Sequence, residues 1–409
     1  MKIGIIREGK TPPDKRVPFT PYHCAEIKEK YNHVEVFVQP SDIRAYKDSA
    51  YASQGIELKE DLSDCDVLFG VKEVLTEMLI PKKKYFFFSH TYKEQSYNRD
   101  LLRAILDKKI QLIDYEMLKD KDGNRIIGFG RYAGIVGAYN GLRALGELHS
   151  SFTLKPAHAC DDRMEMESYL SQVKLPKNFK LIMTGMGRVG RGAREIIDNL
   201  DIQEVSTHEY LTGSFDGPVF CHIDAEDYNK RKDGSEFDKS HFYADPQEYD
   251  SDFFRFAEQS DMYIACHYWD HNAPQILTRG QLADSRNRIK LISDISCDIG
   301  EPIASTIRPS TIEEPFYGYD PVMNSEVPFG AEGSISVQAV DNLPCELPKD
   351  ASEHFGRALI DRVLPHLLGD DEDGVIARAS ESDLEGNLTE DFAYLKDYVA
   401  GTDVPADNA

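Results

Sequence analysis

Several charged side chains stand where short apolar runs end. Lys72 and Glu73 close VLFGVKE, His90 closes KKYFFFSH, and Asp114 and Glu116 close LIDYE. Lys93 lies one short turn beyond His90, and Arg16 sits in the loop DKRVPFTP. An ammonium beside a carboxylate, with an imidazole close by, can move protons, because burial and neighbours bring Lys and His toward neutral pKa. Taken singly, each residue has a plainer reading. A lysine after a strand is ordinarily a solvated loop residue, and a histidine after an aromatic run is ordinarily a satisfied structural one. The coincidence of several such ends raises the functional reading, since catalytic groups on α/β folds gather at the carboxyl ends of strands.

A second pattern lies mid-chain, in FKLIMTGMGRVGRGAREIIDNL. Gly185, Gly187 and Gly190 have the G-x-G-x-x-G spacing, with Arg188 and Val189 between the last two. The first glycine permits a tight turn, the second lets backbone N–H groups approach a pyrophosphate, and the third lets helix and strand pack closely. The helix N-terminus adds unpaired N–H donors and a positive dipole end. Glu209, nineteen residues after Gly190, is an acid able to accept hydrogen bonds from ribose hydroxyls. The pattern predicts a dinucleotide site. An acid there repels a 2′-phosphate and favours NAD, while Arg188 and Arg191 leave NADP possible.

Both patterns need elements to hold them. Strands are expected at Lys2–Ile6, Val34–Val38, Val67–Val71, Tyr85–Ser89 and Ile110–Asp114, with helices at Tyr22–Tyr31 and Gln95–Lys108. A second α/β series opens with a helical stretch at Ala133–His149. It contains the glycine-rich turn and continues with strands at Met262–Cys266, Lys290–Ile295 and near Ser334–Ala339. The chain turns helical again through Ala351–Leu368, then enters the acidic segment GDDEDGVIARASESDLEG, read as a solvated loop, and the aromatic tail DFAYLKDYV. Strands alternating with helices indicate parallel sheets.

The 409 residues suffice for two or three domains. Forty-seven basic against 71 acidic residues leave a net charge of −24, which argues against nucleic acid or an anionic membrane as partner. Cys24, Cys65, Cys160, Cys221, Cys266, Cys297 and Cys345 have no metal-ligand spacing, so no metal is expected and reduced thiols in a cytoplasm are. MKIGIIRE reads as a first strand rather than a secretory leader, and no apolar run approaches the ~18 residues needed to span a bilayer.

VKEVL, YFFFSHTYKEQ, LIDYE, GFGRYAGIVGA, TGMGRVGRGA, YWDHNAPQILTR, ISDISCDIGEPI, TIEEPFYGYD and VDNLPCELPKDASEHFG together resemble the saccharopine dehydrogenase (lysine-forming) family. They look closest to the lysine–ketoglutarate reductase half of aminoadipic semialdehyde synthase, within the wider alanine dehydrogenase and transhydrogenase group. The resemblance covers nearly the whole chain in order. It implies that L-lysine, 2-oxoglutarate and a reduced nicotinamide cofactor give saccharopine, reversibly. It implies Lys72 and His90 as the acid–base pair, with Glu73 and Glu116 tuning their charge. Arg16 and Lys93 would hold substrate carboxylates, and Asp341 of VDNLP would lie near the nicotinamide and amine. Arg131 of GFGRYAG stands where relatives carry uncharged residues, so it offers a further carboxylate contact. No glutamate-forming reductase domain follows residue 409, so a stand-alone enzyme is expected.

The expected architecture is α/β: two Rossmann-like domains with parallel sheets flanked by helices and an active-site cleft between them. Residues 1–135 with 345–409 would form the substrate domain and 136–344 the dinucleotide domain. Three alternatives stay open: an alanine dehydrogenase-like enzyme, another amine/keto-acid imine reductase, and a non-catalytic dinucleotide-binding regulator. The residues leave the oligomeric state open.

Overall fold

The computed structural model describes residues 1–402. The chain divides into two compact units, one formed by Met1–Gly128 with the chain from Pro348 onward, the other by Phe129–Leu347.

The first unit is built on six strands: β1 (Lys2–Ile5), β2 (Glu35–Val38), β3 (Glu57–Leu58), β4 (Val67–Phe69), β5 (Lys84–Phe87) and β6 (Gln111–Asp114). They form one parallel sheet in the order β3-β2-β1-β4-β5-β6. Their side chains are almost wholly buried, as befits a parallel sheet covered on both faces. The helix expected from Gln95 begins at Arg99, after a 3₁₀ turn, and runs to Asp107. Leu101 and Ile105, four residues apart on one helix face, pack with Leu68, Tyr85 and Leu112 of the sheet.

The returning chain covers this unit with a helix at Pro348–Arg362, a break at Val363, and a short helix at Leu364–Leu368. The first of these passes so close to the Pro21–Lys30 helix that a Cβ on Gly356 would fall 2.3 Å from the His23 ring. The acidic segment is not simply a solvated loop. It contains a helix at Val375–Ala379, and Ser380, Glu381 and Ser382 are buried. Ser380 bridges Ile113 in antiparallel fashion and the Glu381 N–H donates to Leu112 O at 2.8 Å, so this segment covers the β6 edge. Phe392, Leu395 and Tyr398 of the aromatic tail close around Leu102.

The second unit carries an eight-stranded sheet: β7 (Lys180–Thr184), β8 (Gln203–Glu204), β9 (Val219–Ile223), β12 (Met262–Ala265), β13 (Leu291–Asp294), β14 (Phe316–Asp320), β15 (Ser325–Val327) and β16 (Ile335–Gln338), with a separate hairpin of β10 (Asn229–Arg231) and β11 (Tyr249–Ser251). The order is β15-β14-β16-β13-β12-β7-β9-β8, parallel except around β14 and β15. The strand beside β7 is therefore β9, while β8, the next strand in sequence, lies outermost. A helix at Gly130–His149 crosses the helix Arg188–Ile197 at backbone contact. A Cβ on Gly134 would fall 1.9 Å from Val189 O, and one on Gly192 2.0 Å from Arg131 O. No helix among the described residues is long and apolar enough to cross a membrane.

Candidate functional site

In the first unit the charged residues singled out above lie just past the carboxyl ends of adjacent parallel strands. Lys72 and Glu73 follow β4, His90 follows β5 and Glu116 follows β6. Glu73 Oε1 lies 2.7 Å from His90 Nδ1, and its Oε2 takes a 2.7 Å ion pair from Lys10. Burial alone would raise the Glu73 carboxyl, but the bonds to His90 and Lys10 outweigh it and hold the group at about 2. A carboxylate on Nδ1 requires the proton there, which leaves Nε2 as the nitrogen able to exchange one.

Glu116 accepts from Arg125 Nη1 at 3.0 Å and from the Tyr92 hydroxyl, with Lys93 Nζ at 3.4 Å. Burial raises this carboxyl and Arg125 lowers it further, so the net shift is downward. Lys72 donates its backbone N–H to Glu8 Oε2 at 2.9 Å. Among the described residues nothing hydrogen-bonds its ammonium, which acts at longer range on Asp14. Burial and the Asp14 charge push Glu8 up to about 8. Arg16 is buried and grips Asp14 through Nε (3.0 Å) and Nη2 (2.6 Å). The carboxylate it holds within this unit is therefore the protein's own.

The second unit holds the glycine-rich turn. Gly185 has φ +90°, and a Cβ there would fall 2.5 Å from Cys266 O. A Cβ on Gly190 would fall 1.7 Å from Gly185 O, whereas Gly187 has nothing within 4 Å. Tight turn, open approach and close packing thus fall on the three glycines in the order the spacing predicts. Gly187 caps the helix Arg188–Ile197, and the amides of Arg188, Val189 and Gly190 belong to its first turn, where a helix provides no acceptor. His222 Nε2 sits 2.9 Å from Gly185 O and braces the turn. His267 bonds Thr184 Oγ1 through Nδ1 at 3.0 Å; its buried Nε2 has no partner among the described residues. Burial drives this imidazole down to about 3, so it is neutral. An open cradle at a helix N-terminus, with an orphaned buried nitrogen nearby, fits a dinucleotide.

Glu209 is placed otherwise than its spacing suggests. It lies beyond the outermost strand and accepts from Ser206 N (2.9 Å) and Oγ (2.6 Å) in a capping box. The acid that follows the strand beside β7 is Asp224, which sequence reasoning missed. It accepts from Lys239 Nζ at 2.8 Å, and that bond, with the backbone N–H groups around it, holds the carboxyl below its ordinary range despite burial. Beyond it, Tyr228, Phe242, Tyr243, Tyr268 and Trp269 line a cavity of about 230 Å³. Arg131 is engaged within the second unit by a two-pronged pair with Glu195 (2.7 and 2.8 Å). Asp341 is exposed, three residues past β16. Among the described residues no group of three or more His, Cys, Asp or Glu is arranged to hold a metal ion.

The fold is like that of alanine dehydrogenase and transhydrogenase. Residues 4–136 match the family model "Alanine dehydrogenase/PNT, N-terminal domain". Among solved structures, an L-alanine dehydrogenase superposes with a TM-score of 0.65 at 16% identity, covering 98% of this chain and 99% of that one. A transhydrogenase from Sinorhizobium meliloti gives 0.58 at 13% identity, covering 95% and 98%. These two likenesses concern the fold.

By sequence, the chain is related to aminoadipic semialdehyde synthases and saccharopine dehydrogenases. It is 32% identical over 400 residues to an alpha-aminoadipic semialdehyde synthase of Arabidopsis thaliana, covering 87% of this chain and 37% of that protein. It is 31% identical over 445 residues to the mitochondrial alpha-aminoadipic semialdehyde synthase of Mus musculus, covering 96% and 47%. The NAD(+), L-lysine-forming saccharopine dehydrogenase of Yarrowia lipolytica is 26% identical over 383 residues, covering 90% and 92%. The chain thus spans less than half the length of the plant and mouse relatives.

Proposed function

We propose that this protein is a saccharopine dehydrogenase of the lysine-forming type, joining L-lysine to 2-oxoglutarate and reducing the resulting imine, reversibly. The observation that carries the reading is the Glu73–His90 pair beside Lys72 at adjacent strand ends, in a chain related to enzymes of that name. The first unit supplies the acid–base groups and the second binds the dinucleotide.

A bound nicotinamide dinucleotide supplies the hydride that reduces the imine carbon. His90 Nε2 and the Lys72 ammonium move the protons: one accepts from the ε-amine as it attacks the keto carbon, the other protonates the departing hydroxyl to release water. Glu73 fixes the imidazole tautomer and ring orientation. Lys93, beside Glu116, offers a cation for a substrate carboxylate. Asp341 is the acid assigned to the nicotinamide and amine.

We assign ribose recognition to Asp224 in place of Glu209, which makes NAD the cofactor. Its carboxylate ends the strand beside the glycine turn, where it can bond both ribose hydroxyls and repel a 2′-phosphate. The aromatic cavity beyond it suits the adenine. All seven cysteines are free thiols, which supports a reducing compartment and the cytoplasm. Fractionation of host cells tests this against the mitochondrial location in the mouse relative's name.

The deciding experiment follows NADH and NADPH oxidation with L-lysine plus 2-oxoglutarate, against pyruvate plus ammonia. Turnover with the lysine pair alone supports the assignment. Turnover with ammonia alone makes the protein an alanine dehydrogenase-like enzyme, and cofactor binding without turnover makes it a regulator.

A further inference from the structure

The turn that carries His90 is strained and tightly held. His90 has φ +55°, in the left-handed region that strains a non-glycine residue. Its neighbours Ser89 and Thr91 are fully buried, and both hydroxyls face a pair of carboxyls that the proposed chemistry does not use: Asp114, which ends β6, and Glu381, from the acidic segment along the β6 edge.

The distances among these oxygens fix the proton inventory. Ser89 Oγ lies 2.5 Å from Asp114 Oδ2 and 2.6 Å from Thr91 Oγ1, and Thr91 Oγ1 lies 2.6 Å from Glu381 Oε2. Each of these short O···O contacts needs a proton, and the two hydroxyls supply only two. The third must sit on a carboxyl. Asp114 accepts two backbone N–H groups as well, from Ser89 at 2.8 Å and Glu116 at 2.6 Å, which favour its anion. Among the described residues no backbone N–H bonds the Glu381 side chain, and its second oxygen has the longer 3.1 Å contact with Ser89 Oγ. The proton therefore belongs to Glu381, and the bonds run one way: Glu381 Oε2–H to Thr91, Thr91 O–H to Ser89, Ser89 O–H to Asp114.

We propose that Glu381 is a positioning residue that works as a neutral acid, heading a one-way hydrogen-bond chain through Thr91 and Ser89 to Asp114 that locks the turn bearing His90. The surroundings agree. Burial, then the charge of Asp114, push the Glu381 carboxyl up to about 8. Burial likewise raises Asp114, to which Glu116 adds a like charge. Tyr92 and Tyr115, which interact with Asp114, and Tyr394, which interacts with both carboxyls, are held neutral first of all by burial. Among the described residues no lysine, arginine or histidine bonds either carboxyl. Loss of the proton would leave one of the three short contacts without a donor and set two anions against the same two hydroxyls.

The role of the turn in catalysis rests on the reading of His90 given above; the protonation of Glu381 does not, and the test separates them. The infrared difference between wild type and Glu381→Gln at neutral pH should show a carboxylic-acid C=O stretch that fades as pH passes about 8; the band of Glu8, pushed up to the same range, is common to both proteins and cancels. A wild-type-minus-variant difference without the band overturns the neutral acid whatever reaction the protein catalyses. For the positioning role, Glu381→Gln keeps an N–H donor for Thr91, so it should hold the neutral-pH kcat and lose the alkaline decline that Glu381 imposes. Glu381→Ala should lower kcat roughly tenfold to a hundredfold with NADH affinity unchanged. Identical pH profiles in wild type and Glu381→Gln overturn the positioning role. Should the wild type not turn over lysine with 2-oxoglutarate, the His90 ring resonances give the readout instead. They should shift above about pH 8 in the wild type and not in Glu381→Gln, and equal behaviour overturns the proposal.

Discussion

Glu73 and His90 form a 2.7 Å carboxylate–imidazole contact, and the same carboxylate holds Lys10 through its other oxygen. In Glu73→Gln the amide can present an N–H to His90 Nδ1 and favour the wrong tautomer. We expect kcat to fall by about 10–100-fold with NADH affinity unchanged. The pair also makes stability depend on pH. The folded carboxyl sits at about 2 against an ordinary 4.5, so its stabilisation is complete above pH 4.5 and is lost as pH falls toward 2. Thermal melts across that window should converge for wild type and variant at the acid end. Parallel curves would remove Glu73 from the acid response.

Lys72→Met removes an ammonium that no described residue hydrogen-bonds, so little folding energy rides on it. Glu8 holds the Lys72 backbone, which the substitution leaves intact. Turnover should drop by roughly 10²–10⁴-fold, the range for loss of an acid–base group, while the melting temperature and NADH binding stay put. A variant with full rate would exclude Lys72 from proton transfer.

The placement of Lys72, His90 and Glu116 was legible because they end apolar runs: a charge closing a buried parallel strand has to emerge at the sheet's carboxyl edge, as these three do. Glu381 was not legible. It stands among acids in a segment of low hydropathy, and only the bridge between Ser380 and Ile113 carries it inside. Asp224 was hidden by an insertion. The acid expected from the spacing is Glu209, but β8 and the helix Thr207–Thr212 precede β9, which pairs with β7, so the acid that follows β9 is Asp224, the residue proposed for the ribose. The pairing of Arg131 with Glu195 was not legible, because the two stand 64 residues apart and the Gly134–Gly192 crossing brings their helices together.

Asp224→Asn keeps a good helix-capping side chain and removes the charge, and it frees Lys239 to meet a 2′-phosphate. The NAD-over-NADP preference should fall by about tenfold or more, the scale of a charged hydrogen bond. Glu209→Ala should leave the preference alone and lower the melting temperature slightly through the lost capping box. Comparison of KM for both cofactors in the two variants decides the assignment. A larger effect at Glu209 would return the ribose site to that residue.

Gly187 and Gly190 separate cofactor binding from folding within one turn. A methyl on Gly187 meets no atom within 4 Å, so Gly187→Ala should melt like the wild type. It nevertheless stands at the helix N-terminus, in the space a pyrophosphate needs for close backbone approach, so NADH affinity should fall sharply. A methyl on Gly190 would lie 1.7 Å from Gly185 O, a backbone atom that can move only with the turn itself. Gly190→Ala should therefore lower stability by ~1–3 kcal/mol, the cost of overpacking, and bind NADH poorly because the turn has shifted. Calorimetry and NADH fluorescence titration on both variants give the two axes. If Gly187→Ala bound NADH like the wild type, the cofactor would have to lie elsewhere, since no other feature of the turn leaves that space open.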